Sequence, residues 1–540
     1  MTSFEKFVSS FSENDKGKQF ERFVLWFFKT NPEWSSRIKK VWLWEDFPRR
    51  WGRDKGIDLV FKDKDNRLCA VQAKCYDQKY SISKPDVDKF LSESNRKLID
   101  YRLLISTTDR INKNANDVIK HQEKKVIKFL NSDFEKSKII YPSSFQSLNS
   151  TKNIKKPKPF LHQRLAINDV CKKFKKNSRG QLIMACGTGK TFTSLWIKEK
   201  INSYKTIIFV PSLSLLSQTL REWCYASKKI TNILCVCSDK SVSKKINEDE
   251  NIQSINDLSF PVTSDVKEIL KFLKKTGDKI IFSTYQSSDL IVQCCKKDNK
   301  ISFDLIIADE AHRCVGKKGD LFVQPLADKL IKSKKRLFTT ATPRFHAKNI
   351  KKISNDNGIE IYGMDDEKFF GPVFHELTFG EAIKKNLLAE YQVVVPVVTN
   401  DSVKKMIDKR VLLSNSKNRI TDAKSYATKI AVLKTLKKEK VFKSLSFHNR
   451  ISNAKKFSEE IIKTNEELSS KNKLSGNIYS DFVEGKMNAY DRKIKINQIK
   501  DLDEYKYGML SNARCLQEGV DIPSLDGISF IDPRGSHVDI

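Results

Sequence analysis

From about residue 180 onward the chain is punctuated by short runs of mostly apolar residues: QLIMA, TIIFV, ILCVC, KIIFST, DLIIAD and RLFTTA. These runs are rich in Ile and Val and do not alternate apolar with polar. The strands they form must therefore be covered on both faces, and helical stretches separate them. This restricts the fold to an α/β one, a parallel sheet between helices. A second set, YQVVVPVV, SLSFHN, YGMLSNA and GISFID, predicts a second domain of similar build. Ahead of both, FEKFVSSF, FERFVLWFF and DVDKFLSES read as helices, and VWLWEDF, IDLVFKD, LCAVQAKCY and YRLLISTT as strands. The polar, basic, proline-bearing stretch around NIKKPKP marks a linker. The expected division is a first domain at 1–148, a linker at 149–158, an α/β lobe at 159–355, a connection at 356–390 and a second lobe at 391–540.

Composition narrows the class. With 39% hydrophobic and 31% charged residues, the 540-residue chain is too apolar for disorder. Its most apolar stretch, TIIFVPSLSLLSQTL, is interrupted by Pro211, Ser214 and Gln218, short of the roughly 20 apolar residues that span a bilayer. The first residues show no signal peptide. Eleven scattered cysteines without a C-x-x-C pair read as reduced thiols, which places the protein in the cytoplasm, away from membranes. The net charge of +34 points to a polyanion, ordinarily nucleic acid. A Lys-, Ile- and Asn-rich composition of the kind AT-rich genomes produce is the competing explanation.

MACGTGKT, Met184 to Thr191, follows one apolar run and precedes the helical SLWIKEKI. Gly187, Thr188 and Gly189 let backbone N–H groups close around phosphate oxygens. Lys190 reaches the terminal phosphates of ATP, and Thr191 is placed to hold Mg2+ at a helix N-terminus. The first glycine of the general pattern is replaced by Met184. FDLIIADEAH is a buried strand that ends in Asp309 and Glu310, at the strand end where ligands of open α/β sheets bind. Asp309 is expected to hold the magnesium through water, and Glu310 to orient or deprotonate the attacking water. His312 is either a coupling residue or a packed histidine.

These motifs resemble those of superfamily 2 helicases, and others follow in order. FLHQR resembles the adenine-reading segment, which implicates Gln163. VPSLSLLSQ and STYQS resemble the stretches that touch the nucleic-acid backbone. TTATP, with Thr340 and Thr342, resembles the motif that couples hydrolysis to domain movement. SLSFHNRISNAKKF resembles motif IV. ARCLQEGVDIP resembles motif V, with Glu518, Gly519 and Asp521 at positions that contact nucleotide and the partner lobe.

In the first domain GIDLV and AVQAK, with Gln72 fourteen residues after Asp58, resemble the core of the Mrr-type branch of PD-(D/E)xK nucleases. The geometry makes sense without the family. Gln72 and Lys74 project on one face of a strand, and the turn KDKDN brings Asp58 on the neighbouring strand beside them. Asp58 and Gln72 would hold a metal, and Lys74 would position or activate water. Glu21, in GKQFE, would supply a further acid. Gln72 stands where the wider superfamily has an acid, which lowers the expected metal affinity and leaves a DNA-binding-only domain open.

VWLWEDFPRRWGRDKGIDLV and MDDEKFFGPVFHELTFGEAIKKNLLAEYQVVVP resemble the start of type ISP restriction–modification enzymes. The resemblance implies a PD-(D/E)xK restriction-endonuclease-like domain followed by two RecA-like domains. Such a protein travels on double-stranded DNA by hydrolysing ATP and cuts it with Mg2+ as part of phage defence. The chain stops at Ile540, where an arginine-bearing motif VI is expected, and Arg534 is the nearby candidate. The resemblance therefore implies an incomplete second lobe, with methyltransferase and target-recognition domains in a missing C-terminal part. A remodelling ATPase with an inactive nuclease fold and an RNA-directed helicase are the alternatives.

Overall fold

A computed structural model describes residues 2–53, 56–149, 156–229, 232–238, 258–317, 321–345, 361–397, 423–476, 478–485, 487, 489–503, 506–513 and 525–532. The chain divides into two compact units. One comprises Met1–Ile246 and Ile252–Ala389, the other Asn247–Asn251 and Glu390–Ile540. Among the described residues no helix is long and apolar enough to cross a membrane.

The first unit holds two sheets. The N-terminal one runs in the order β1 (Ile38–Leu43), β2 (Leu59–Asp63), β3 (Leu68–Lys74), β4 (Tyr101–Ser106), β5 (Val126–Phe129). Its first three strands are antiparallel and the rest parallel. Strand periodicity divides its side chains. Leu59, Phe61, Cys69, Val71, Leu103 and Ile105 pack on one face, against an aromatic layer from α1 (Ser3–Val8), α2 (Lys16–Thr30), α3 (Pro32–Ser35) and α6 (Asn131–Lys136). Val60, Ala70 and Leu104 pack on the other, against α4 (Lys84–Glu93) and α5 (Lys113–Lys120).

The second sheet has seven strands: β6 (Arg179–Met184), β7 (Lys205–Val210), β8 (Asn232–Val236), β9 (Lys279–Thr284), β10 (Phe303–Asp309), β12 (Ser333–Thr340) and β14 (Val373–Leu377). The short β11 (Gly316–Lys317) and β13 (Ile361–Tyr362) pair apart from it. The order β14-β6-β12-β10-β7-β9-β8 is parallel throughout. As the unbroken apolar runs require, both faces are covered. Helices α7 (Leu161–Lys173), α8 (Lys190–Lys200) and α9 (Leu213–Ala226) lie on one, and α10 (Val266–Lys274) and α11 (Ser288–Lys297) on the other.

The N-terminal domain is seated on this second domain by a polar seam. Helix α3 packs on α9. Arg37 Nη1 donates to the Pro261 carbonyl at 3.4 Å and Nη2 to Cys235 Sγ at 3.4 Å, while the guanidinium lies 5.5 Å from the Phe260 ring centre. Arg67 pairs with Glu268 at 3.2 Å, and Lys275 pairs with Asp65.

The second unit contains a parallel four-stranded sheet in the order β16 (Tyr479–Val483), β17 (Gly508–Asn512), β15 (Lys443–Phe447), β18 (Gly527–Phe530). One expected strand is not formed among the described residues. Residues 391–397, YQVVVPV, carry no strand pairing, and Tyr391, Val393, Val395 and Val397 are exposed. Pro396 has no N–H to give to a ladder, and a β-rich composition alone does not make a strand. Gly519, Asp521, Glu518 and Arg534 lie outside the described residues.

Candidate functional site

Two sites are assembled in the first unit, each at one end of a sheet. In the seven-stranded sheet β6, β12 and β10 are neighbours, so their carboxyl ends bring together the loop 185–189, Thr339, Thr340 and Asp309. Gly187 (φ 79°) and Gly189 (φ 83°) turn the loop through the left-handed region. A side chain at Gly189 would also collide with Gln163, whose Nε2 would lie 2.3 Å from an added Cβ. Gly189 caps α8, so free N–H groups and the positive end of the helix open on the loop, as a phosphate requires.

Lys190 Nζ lies 3.9 Å from Glu310 Oε1 and 3.9 Å from Cys186 Sγ. These long contacts leave the ammonium without a close partner. Glu310 itself sits at φ 48°, ψ 51°, a strained conformation for a residue with a side chain, at the turn where the strand ends. Thr339 donates to Asp309 Oδ1 at 2.6 Å, and the Glu310 N–H donates to the same oxygen at 3.1 Å. Tyr285 OH donates to the Asp309 carbonyl at 2.7 Å. Asp309 is thereby fixed from three sides.

His312 is buried, with Nδ1 2.9 Å from Thr340 Oγ1 and 3.4 Å from Glu310 Oε2. Burial, helped by Arg313, Arg344 and Lys190, pushes its pKa down to about 4. At neutral pH it is uncharged, so the Glu310 contact is not an ion pair and Thr340 is its partner. The Thr342 N–H in turn donates to Thr340 Oγ1 at 3.1 Å. Gln163, buried, accepts from the Phe160 N–H at 2.9 Å and donates to the Thr188 carbonyl at 3.2 Å. Thr191 is held through its carbonyl, which accepts from the Trp223 indole of α9 at 3.0 Å.

The second site lies where β1 ends, β2 begins and β3 ends. Asp58 Oδ2 accepts from the Ala73 N–H at 2.6 Å, which locks the acid of one strand onto the next. Gln72 is buried; Nε2 donates to the Gly56 carbonyl at 3.3 Å, and Oε1 is buried without a partner. A buried amide oxygen left unsatisfied beside a carboxylate is a vacant acceptor, and a divalent cation fits it. Glu21 on α2 has its pKa raised to about 7, first by burial and then by the charges of Asp58 and Glu45. Burial is the larger cause, so the raised value marks a carboxyl shielded from water with Asp58 near it. Against a metal, the described residues contain no group of three His, Cys, Asp or Glu side chains close enough to hold an ion. Gln72 would have to serve as a ligand. Lys74 is half-buried on the same strand face.

Three residues of the sites were given no role in the sequence reading. Thr339 opens the TTATP string, but its contact with Asp309 became visible only through the register that sets the two opposite each other. Trp223 and Glu45 reach their sites from elements whose sequence carries no motif for that role.

Residues 29–151 match a restriction endonuclease family of the Mrr catalytic type, and residues 156–345 match the family of the type III restriction enzyme res subunit. The chain joins an Mrr-type restriction-endonuclease-like domain to a helicase-like domain of the res-subunit kind. Over 100% of its length it is similar to the ATP-dependent type ISP restriction–modification enzyme LlaBIII bound to DNA, with a TM-score of 0.82 and 28% identity, and it covers 36% of that protein. It is also 26% identical over 394 residues to a probable helicase of African swine fever virus from a South African tick isolate, covering 70% of this chain and 38% of the viral one. The chain thus spans little more than a third of either relative. An α/β nuclease followed by helicase-like RecA domains is the arrangement of the type ISP enzyme, and ATP binding and DNA binding follow from the two families.

Proposed function

We propose that the chain is an ATP-hydrolysing translocase on double-stranded DNA, coupled to a Mg2+-dependent endonuclease, as part of a restriction–modification enzyme. The observation that carries the motor reading is the meeting of the loop 185–189, Lys190, Asp309, Glu310 and Thr339 at the carboxyl ends of three adjacent parallel strands. Loop N–H groups and Lys190 bind the phosphates, and Asp309 and Thr191 would hold Mg2+, which would neutralise charge on the phosphates. Glu310 orients the attacking water and takes its proton at a carboxylate oxygen. Neutral His312, through Thr340, passes the state of the site to the TTATP segment.

At the nuclease site Asp58 and Gln72, with Glu21 nearby, would hold a second Mg2+, which would stabilise charge on the scissile phosphate. Lys74 positions the attacking water and donates hydrogen bonds to the phosphate. A binding-only nuclease domain has one observation in its favour, the lack of a three-acid cluster among the described residues. A single comparison decides. Supercoiled plasmid is incubated with the chain, Mg2+ and ATP, and each component is omitted in turn. Cutting that needs both supports the proposal. DNA-stimulated ATPase without any cutting supports the binding-only reading, and stimulation by RNA rather than DNA would overturn the assignment of partner. Methyltransferase and target-recognition functions are proposed to belong to further parts of the full protein.

A further inference from the structure

The connection from β1 to β2 carries Arg49, Arg50 and Arg53, all exposed. Arginines on a surface turn are ordinarily solvated, but three observations set these apart. The first is place. Leu43 pairs with Leu59, and Leu59 with Val71, so the turn leaves β1 at the sheet end where Asp58, Gln72 and Lys74 stand.

The second is rigidity. The Trp44 indole donates to the Gly52 carbonyl at 3.0 Å, and the Trp51 indole to Glu93 Oε2 at 3.0 Å. The Trp44 and Trp51 rings meet edge-on with centres 4.7 Å apart, and Arg96 covers Trp51 at 4.9 Å. Gly56, at φ 66° and pressed against α4, closes the connection by giving its carbonyl to Gln72. Ordering a turn this firmly prepays the entropy of binding. The third is charge. Arg37, Arg67 and Arg102 of the same domain are all engaged by protein groups, whereas no carboxylate among the described residues pairs with Arg49, Arg50 or Arg53. Lys18 and Arg22, exposed on either side of Glu21 on α2, add positive charge to that helix.

We propose that the turn Phe47–Arg53 is a phosphate grip, in which Arg49, Arg50 and Arg53 hold the backbone of duplex DNA beside the bond on which Asp58, Gln72 and Lys74 act. The inference rests on the endonuclease reading of that site and names the part of it that binds substrate. Guanidinium contacts to phosphate position a duplex without reading its sequence, so the grip is indifferent to target.

The test uses the full chain with R49A/R50A/R53A and, as the charge-preserving control, R49K/R50K/R53K. Binding to a short blunt duplex without nucleotide is measured across a salt series, with ATPase activity in the absence of DNA as the check on folding. Each lost phosphate contact reduces the slope of log affinity against log salt by about 0.9, so the alanine variant should be shallower by about 2 to 3, with the lysine variant close to wild type. Plasmid cleavage is followed in parallel and should fall at low DNA concentration but recover at high. An unchanged slope overturns the grip, as does a loss of cleavage that saturating DNA does not restore. If the slope responds but the wild-type chain never cuts, the grip stands and the endonuclease reading fails. If the wild type cuts and the slope is unmoved, the reverse holds.

Discussion

Thr339→Val tests the motor site at the first residue of the TTATP string, whose place opposite Asp309 only the strand register reveals. The hydroxyl donates to Asp309 Oδ1 at 2.6 Å, and both residues are buried. Valine keeps the shape and removes the donor, so the carboxylate loses its shortest hydrogen bond. A hydrogen bond to a charged group is worth about 1.5–3 kcal/mol, which corresponds to roughly 10- to 150-fold in an equilibrium. If Asp309 orients magnesium, this loss appears as weaker metal affinity, within the 10- to 100-fold that removing a partner of a metal-holding group typically costs. The assay is steady-state ATPase titrated with Mg2+ at fixed ATP and DNA. The variant should need about tenfold more Mg2+ or above for half-maximal rate, with most of the rate recovered at saturation. Thr339→Ser, which restores a hydroxyl, should fall near wild type. Superimposable magnesium curves for valine and wild type would show that Asp309 does not act on the metal through this contact.

Lys190→Ala should remove ATP hydrolysis while DNA affinity stays within a few-fold, because phosphate charge is neutralised at the loop and DNA is held elsewhere; wild-type turnover would sink the nucleotide assignment. Asp58→Ala or Lys74→Ala should abolish plasmid cutting and leave the ATPase rate intact, and a variant that still cuts places the metal site elsewhere. Arg37→Met at the domain seam removes the donors to the Pro261 carbonyl and Cys235 Sγ and should cost about 1–3 kcal/mol in urea unfolding, the usual cost of leaving a buried polar group unsatisfied; a change under about 0.5 kcal/mol would show the seam to be solvated. His312 has its folded pKa lowered to about 4 from 6.5, so the unfolded chain takes up the proton first as pH falls. Its contribution is complete above about pH 6.5 and is lost toward pH 4, about 3 kcal/mol in all, and His312→Asn should flatten that part of the pH dependence; parallel curves would refute it.

The parallel sheet of the motor was legible because burial on both faces writes itself into unbroken apolar runs. The N-terminal strands were legible for the complementary reason, since Leu59–Asp63 and Leu68–Lys74 are bounded by turn residues. Tyr391–Val397 misled for the same physics. Its valines report strand propensity, and propensity carries no information about whether an edge is available to pair with. At the motor site, motifs give the residues contiguous with a strand end, such as Asp309 and Glu310. The pairing of Thr339, the first residue of TTATP, with Asp309 depends on which strand lies beside β10, a long-range fact that no local window contains. At the nuclease site, the resemblance to Mrr-type nucleases picked out Asp58, Gln72 and Lys74 and alternation with one turn brought them together, whereas the unsatisfied Gln72 Oε1 and the charge of Glu45 on Glu21 are properties of packing.

The seam between nuclease and motor gives the two sites a fixed relation. Arg37 precedes β1, and Asp65 and Arg67 belong to the turn that joins β2 to β3. All three lie at the end of the sheet opposite Asp58 and Lys74, separated by the five residues of β2, or about 17 Å of extended chain. The second domain therefore holds the N-terminal one by the far end of its sheet and leaves the end with Asp58, Gln72 and the arginine turn clear of that contact. On the motor side the seam is borne by α9, β8, the segment that carries Phe260 and Pro261, and α10. Helix α9 also carries Trp223, whose indole holds the Thr191 carbonyl at the phosphate loop. One helix thus touches the nuclease through its contact with α3 and the nucleotide site through Trp223. A nuclease tethered only by a flexible linker would sample DNA independently of the motor. If the proposed function holds, a nuclease docked this way would be carried with the nucleotide-binding lobe, and where it met DNA would be set by where the motor stood. The Arg37 variant separates these two cases. Loosening the seam should leave the ATPase rate and the chemistry at Asp58 intact while it broadens the positions at which a linear duplex is cut. Cut sites that stay as narrow as in the wild type, on a seam shown to be weakened in urea, would mean that something other than this docking directs the nuclease.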